Sequence, residues 1–329
     1  MVSPAARRAS ASPWSVSPAA AEEALTPHHH AGEATKPCRL SVDCPGALRN
    51  NDGGRWRQDE VASGAGASFG RPRMAKLTVC LELFFTDVPL AERIARITEA
   101  GFDAGEFWGW RDKDLEAVAR SASRHHVVIT SMTAMSIHPG LNDATKHEEF
   151  VLALRESAEA AKRVSCPNLI VMAGNVLPRM PRSRQLANIV EGLKKLAPVA
   201  EQAGVTLVLE LLNSRYDHPD YFLDNSEEMG LIIRAVNHPN VRALYDIYHA
   251  GIMEGNIIEN IRANADTIGH FHAAAVPGRH EPAAGEQNYP AICRAIDETG
   301  FTGYVGLEYQ PTKDHLRSLV ETREWFVGG

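Results

Sequence analysis

From residue 74 onward the chain alternates short apolar runs, rich in Val, Ile and Leu, with longer amphipathic stretches. Eight of the runs predict strands: LTVCLEL (77–83), FDAGEFW (102–108), VVITSM (127–132), NLIVMA (168–173), VTLVLEL (205–211), VRALYD (241–246), TIGHFHA (267–273) and GYVGLEY (303–309). They are continuously apolar rather than alternating, as expected of parallel strands covered on both faces. The stretches between them place apolar residues three and four apart, the period of a helix with one buried face. In PLAERIARITEAG, Pro89 suits a first helical turn and Gly101 a C-terminal cap, and EEFVLALRESAEAAKRV repeats the period over a greater length. Eight strands alternating with eight helices in 256 residues predict an α/β fold, the parallel (β/α)8 or TIM barrel, whose usual size is about 250 residues. A doubly wound open sheet is the competing arrangement, but CLELFFTDVPL lacks the Gly-rich phosphate loop that normally follows its first strand.

Residues 1–73 break the pattern. They are rich in Ala, Ser, Gly, Pro and Arg, follow neither helical nor strand period, and contain too few large apolar residues to offset the entropy of ordering. We expect a disordered low-complexity extension there, with His28, His29 and His30 inert, Met74 resembling a natural start, and a single barrel domain over 74–329. Charge sharpens the division: residues 74–329 carry 25 basic and 34 acidic side chains, a net charge of −9. Nucleic acid and anionic membrane surfaces are therefore poor partners, because both demand clustered Lys and Arg. A small-molecule ligand fits better, and a homo-oligomer is compatible with the composition. Cys38, Cys44, Cys80, Cys166 and Cys293 are scattered without a C-x-x-C pair, which suggests reduced thiols. With no apolar run long enough to span a bilayer and no signal-peptide core, the cytoplasm is the expected location.

In a (β/α)8 barrel the chemistry lies at the C-terminal ends of the strands. Four consecutive strands end in a polar residue: Glu210 in TLVLELLN, Asp246 in ALYDIYHAG, His272 in GHFHAAA and Glu308 in GYVGLEYQP. Their separations of 36, 26 and 36 residues are each about one βα unit, which sets the four side chains on one rim. Three carboxylates so crowded repel one another unless a cation neutralises them. Three carboxylates with one imidazole suit Mg²⁺ or Mn²⁺ better than zinc, and no organic cofactor is needed. Nearby loops supply His249, three residues after Asp246, and the turn VPGRHEPAAGEQNY with Arg279, His280, Glu281 and Glu286. Arg279 suits a planar carboxylate, and we expect Glu281 as a further substrate contact and His138 in SMTAMSIHPGLND to line the pocket. Glu82 and Glu106 are expected as solvated or salt-bridged groups at the barrel mouth, and His270 as a hydrogen-bonded core histidine one layer deeper.

Such a site can hold the adjacent oxygens of an α-hydroxy carbonyl while two Glu residues move a proton between neighbouring carbons, which is aldose–ketose isomerisation or epimerisation. The quartet, with YDIYH, PGRHEP, GEQNYP and GLEYQP, resembles the xylose-isomerase-like barrels and most closely the hydroxypyruvate isomerase group, across essentially all of residues 74–329. The resemblance implies interconversion of hydroxypyruvate and tartronate semialdehyde (2-hydroxy-3-oxopropanoate), or of a related sugar acid such as a 2-oxo-tetronate. It implies Glu210 and Glu308 as the acid/base pair, Asp246 and His272 completing the metal site, and His249 and Arg279 on the substrate. His272 departs from the Gln common in that group and matches the His of ketose 3-epimerases, which makes a 3-epimerase the nearest rival. A non-catalytic sugar-acid binding protein is the rival of another class.

Overall fold

A computed structural model describes residues 76–135 and 137–328. The expected disordered extension over 1–73, with Cys38, Cys44, the three consecutive histidines and Met74, lies outside the described residues. The strands are β1 (Lys76–Cys80), β2 (Ala104–Phe107), β3 (Val128–Thr133), β4 (Asn168–Met172), β5 (Thr206–Glu210), β6 (Val241–Asp246), β7 (Ile268–Ala273) and β8 (Tyr304–Leu307). All pair in parallel with their sequence neighbours, and β8 closes on β1, so the barrel expected from the sequence is the observed fold.

The helices cover the outside of the barrel: α1 (Leu90–Glu99), α2 (Leu115–His125), α3 (His147–Val164), α4 (Arg182–Ala203), α5 (Ser226–Val236), α6 (Ile247–Met253), α7 (Ile257–Asn264), α8 (Tyr289–Glu298) and α9 (His315–Gly328). Helix α1 behaves as its sequence predicts: Pro89 immediately precedes it, Ile94 and Ile97 are buried on one face, and Gly101 just beyond takes φ +83°, a conformation open to glycine. Between β6 and β7 there are two helices rather than one. The extra one, α6, has seven residues, too few to show an amphipathic period, and starts because Asp246 caps it. The first strand is shorter than expected as well. Leu81 N–H still bonds the Glu106 carbonyl at 2.8 Å, but Leu83 N–H turns back to Cys80 O at 3.2 Å, which ends the ladder.

Register places the site. Glu210 pairs with Leu244, Asp246 with His272, and His272 with Gly306. Paired residues project to the same face, as do residues two apart on a strand. That parity carries Glu210, Asp246 and His272 to one face at the C-terminal end. Glu308 lies one residue past β8 and keeps the same parity, its N–H still bonded to Ala273 O at 3.1 Å. Among the described residues Cys80, Cys166 and Cys293 are free thiols, and no helix is long and apolar enough to cross a membrane.

Candidate active site

Glu210, Asp246, His272 and Glu308 converge as their spacing predicts. All four are buried, and each offers one ligand atom within 4.8 Å of the others. His272 Nδ1 lies 3.0 Å from Glu210 Oε1, 3.4 Å from Glu308 Oε2 and 3.8 Å from Asp246 Oδ2. Burying three carboxylates around one imidazole strains the electrostatics. Burial pushes Asp246 up to about 7, with Glu308 and Glu210 adding repulsion, and raises Glu210 as well. Burial also opposes the charged form of Glu308, but His272 and Arg279 hold its carboxyl well below the usual range. His272 is driven well above its ordinary value by Glu308 and Glu106, despite the burial that disfavours its cation. A protonated imidazole and reluctant carboxylates are what a cation-binding donor set looks like when protons stand in for the cation, and the four residues fit a divalent ion.

The Asp246–His249 spacing has a local cause. Asp246 is the N-cap of α6: its Oδ1 accepts from His249 N–H at 3.0 Å, which leaves Oδ2 for the cluster. His249 Nδ1 accepts from Asn213, both from the backbone N–H at 3.1 Å and from Nδ2 at 2.7 Å, so its proton resides on Nε2. Nε2 is buried, lies 3.7 Å from Asp246 Oδ2, and has no hydrogen-bond partner among the described residues. Burial holds His249 well below its ordinary value, and the Arg279 guanidinium acts in the same direction. The ring is a neutral donor aimed at the cluster.

Arg279 reaches the site from the loop after β7. Gly278 (φ +93°) and Arg279 (φ +56°) turn the chain back, and a Cβ on Gly278 would press 2.7 Å from His280 Cδ2, so glycine is required there. The Arg279 guanidinium donates to Glu308 Oε2 at 2.6 Å and lies 5.3 Å from the centre of the Tyr248 ring. Its side chain is 18% exposed, against 6% for Glu308, so the cation keeps access to solvent.

Other expected residues fall elsewhere. Glu281 is not brought to the cluster: its carboxylate accepts from Thr312 N–H, Thr312 Oγ1 and Ser318 Oγ at 2.7–3.0 Å, tying the loop after β7 to the start of α9. His138 is exposed on the loop after β3. Glu82 is salt-bridged to Lys113 at 3.0 Å, as expected. Glu106 is ion-paired, as one half of its expectation had it, but with His270 and His272 in the buried interior rather than solvated at the barrel mouth. His270 is the hydrogen-bonded core histidine predicted, 2.9 Å from Glu106. Sequence reasoning also missed Trp108, whose Nε1 donates to Glu308 Oε1 at 2.7 Å, and His218, whose ring packs edge-on to His249 at 5.4 Å. Trp108 follows Glu106 by two residues, so strand parity was the available signal.

Comparison with known proteins places this geometry. The profile of the xylose isomerase-like TIM barrel family matches residues 94–327. A human protein named "Putative hydroxypyruvate isomerase" is 32% identical over 254 residues, covering 72% of this chain and 90% of its own. A 2-oxo-tetronate isomerase of Haemophilus influenzae is 28% identical over 263 residues, with 77% and 98% covered. Among solved structures, an AP endonuclease, family 2, from Brucella melitensis superposes with a TM-score of 0.71 at 29% identity, covering 78% of this chain and 99% of that one. A D-psicose 3-epimerase from Clostridium cellulolyticum H10, at 18% identity and a TM-score of 0.64 over 77% and 97% of the two chains, shares the fold. The chain belongs to the xylose isomerase-like TIM barrel family.

Proposed function

We propose that this chain is a divalent-metal-dependent isomerase that interconverts hydroxypyruvate and tartronate semialdehyde. The observation that carries the proposal is the convergence of Glu210, Asp246, His272 and Glu308 within 4.8 Å at the strand ends. Those four residues would hold Mg²⁺ or Mn²⁺, which would supply positive charge to stabilise an enediolate.

The remaining chemistry belongs to the side chains. Glu308, held ionised by its neighbours, takes the proton from the hydroxyl-bearing carbon. Glu210, whose affinity for protons is raised by burial, returns one to the neighbouring carbon, while the hydroxyl proton passes to the former carbonyl oxygen, so that alcohol and carbonyl exchange places. The neutral His249 donates from Nε2 to a substrate oxygen as negative charge develops on it. Arg279 binds the substrate carboxylate through two parallel hydrogen bonds. A 2-oxo-tetronate presents the same carboxylate and ketone on a longer chain. The names of relatives such as the 2-oxo-tetronate isomerase of Pectobacterium atrosepticum, 27% identical over 258 residues, support it as the second substrate to try.

The test is solvent exchange. Chelator-treated protein is incubated in D2O with hydroxypyruvate, with and without added Mg²⁺ or Mn²⁺, beside parallel reactions on a 2-oxo-tetronate and on D-fructose. Deuterium should enter a carbon of the three-carbon acid only after the ion is restored, and Glu308→Gln should abolish it. Exchange into D-fructose alone would make the protein an epimerase, and exchange into none of the three would support a binding protein.

A further inference from the structure

Glu106 is a fully buried carboxylate that the proposed reaction does not use. It projects from β2 across the barrel interior to β7. Its Oε2 accepts from Ser131 Oγ at 2.9 Å and Thr130 Oγ1 at 3.3 Å, and lies 2.9 Å from His270 Nε2. Three donors thus pin one oxygen and leave Oε1 facing His272. Oε1 and His272 Nε2 approach to 3.3 Å as an ion pair, and both are buried atoms left without a hydrogen-bond partner among the described residues. His272 therefore meets carboxylates at both ring nitrogens: Nδ1 faces Glu210, Asp246 and Glu308, and Nε2 faces Glu106 alone.

Gly306 provides an independent sign that this contact is built. It pairs with His272 across β7 and β8, and a Cβ at that position would collide with Glu106 Oε1 and press 2.7 Å from His272 Cδ2. Its φ lies outside the left-handed region, so the backbone does not call for glycine; the space does. The second group of nearby ligand atoms, Glu106, His270 and His272, is accounted for by the same arrangement, since Glu106 is hydrogen-bonded to His270 at 2.9 Å and ion-paired with His272 at 3.3 Å.

We propose that Glu106 is the positioning residue for His272. Its Oε1 holds the proton on Nε2, so the ring presents the Nδ1 lone pair to the cluster in one fixed orientation. An imidazole ligand needs this: a ring free to flip or to carry its proton on Nδ1 offers no lone pair where the other three donors meet. The anchored Oε2, held by Ser131, Thr130 and His270, makes Glu106 itself rigid. The inference rests on the quartet being a metal site.

Calorimetric titration with Mn²⁺ of the chelator-treated wild type and Glu106→Gln, together with imidazole nitrogen NMR of the Mg²⁺-loaded forms, tests it. Glu106→Gln keeps the shape and removes the charge. It should weaken Mn²⁺ binding roughly 10–100-fold, and the Nε2 proton of His272, downfield and slow to exchange in the wild type, should lose both properties. Gly306→Ala, which crowds the contact without altering either partner, should move the same signal in the same direction. If Glu106→Gln does not fold, the wild-type spectrum decides: a His272 proton on Nδ1, or an Nε2 proton that exchanges freely, overturns the proposal. Unchanged Mn²⁺ affinity in folded Glu106→Gln overturns it too, while the assignment of the metal site stands. Failure of the wild type to bind Mn²⁺ removes both.

Discussion

Asp246 serves two ends with one carboxylate: Oδ1 caps α6 through His249 N–H, and Oδ2 faces His272. The division lets the two roles be separated. Asparagine caps a helix about as well as aspartate, so Asp246→Asn should leave the fold intact while removing a charged donor. Its Mn²⁺ affinity, read by calorimetry, should fall by more than the roughly 10–100-fold typical of losing an outer partner. His249→Ala should behave in the opposite way. Mn²⁺ affinity should stay near that of the wild type while kcat on hydroxypyruvate falls roughly 10²–10³-fold, the usual effect of removing one donor to a developing oxyanion. If His249→Ala abolished Mn²⁺ binding instead, the ring would belong among the ligands. Legibility at this scale follows from what a strand end reveals. Glu210, Asp246, His272 and Glu308 could be found because each terminates an apolar run at a regular interval. Glu106 also sits near the end of such a run, but its partners His270 and Ser131 lie 164 and 25 residues away, and nothing local marks a carboxylate destined to cross a barrel.

The strands were legible as elements because burial on both faces writes an uninterrupted apolar run, and all eight lie within the stretches that pattern marks or within one residue of them. Their ends were less so. Where β1 stops is decided by Leu83 N–H turning to Cys80 O, and β8 ends at Leu307 just short of Glu308, neither of which hydrophobicity encodes. The loop after β7 shows the same limit: its Gly and Pro residues announce a turn, but only the fold sends Arg279 to Glu308 while Glu281 turns to Thr312 and Ser318. That loop carries its own prediction. Arg279→Lys keeps the charge and loses the planar pair of donors. A hydrogen bond to a charged group contributes about 1.5–3 kcal/mol, so KM for hydroxypyruvate should rise about tenfold or more with Mn²⁺ affinity little changed. An unaltered KM would place the substrate carboxylate elsewhere.

Across the whole molecule, the site couples stability to pH and to the ion. Burial raises Asp246 to about 7 from an ordinary 3.8 and moves Glu210 upward too, so above the ordinary values the folded state holds protons that the unfolded chain has released. Stability then falls as pH rises across that window. His272, raised well above 6.5 by Glu308 and Glu106 against the effect of burial, has the same sign: its contribution is complete below 6.5 and is lost as pH climbs through the raised value. Glu308 and Glu106 run the other way. Burial opposes both, yet His272 pulls each down, Glu106 to about 2, and their contribution is already complete above the ordinary 4.5. His249 and His218, lowered by burial, gain stability as pH rises through 6.5 and offset part of this. The opposite effect of Asp246, Glu210 and His272 is larger, so the ion-free protein should melt at a lower temperature near pH 8 than near pH 5.5. A divalent cation replaces the protons, and its binding should release them, so a fixed Mn²⁺ concentration should raise Tm more near pH 8 than near pH 5.5. Thermal melts at both pH values, with calorimetry in buffers of different ionisation enthalpy, measure the two effects together. An equal Tm shift at both pH values with no proton release would mean that the four side chains are not titrating against the ion.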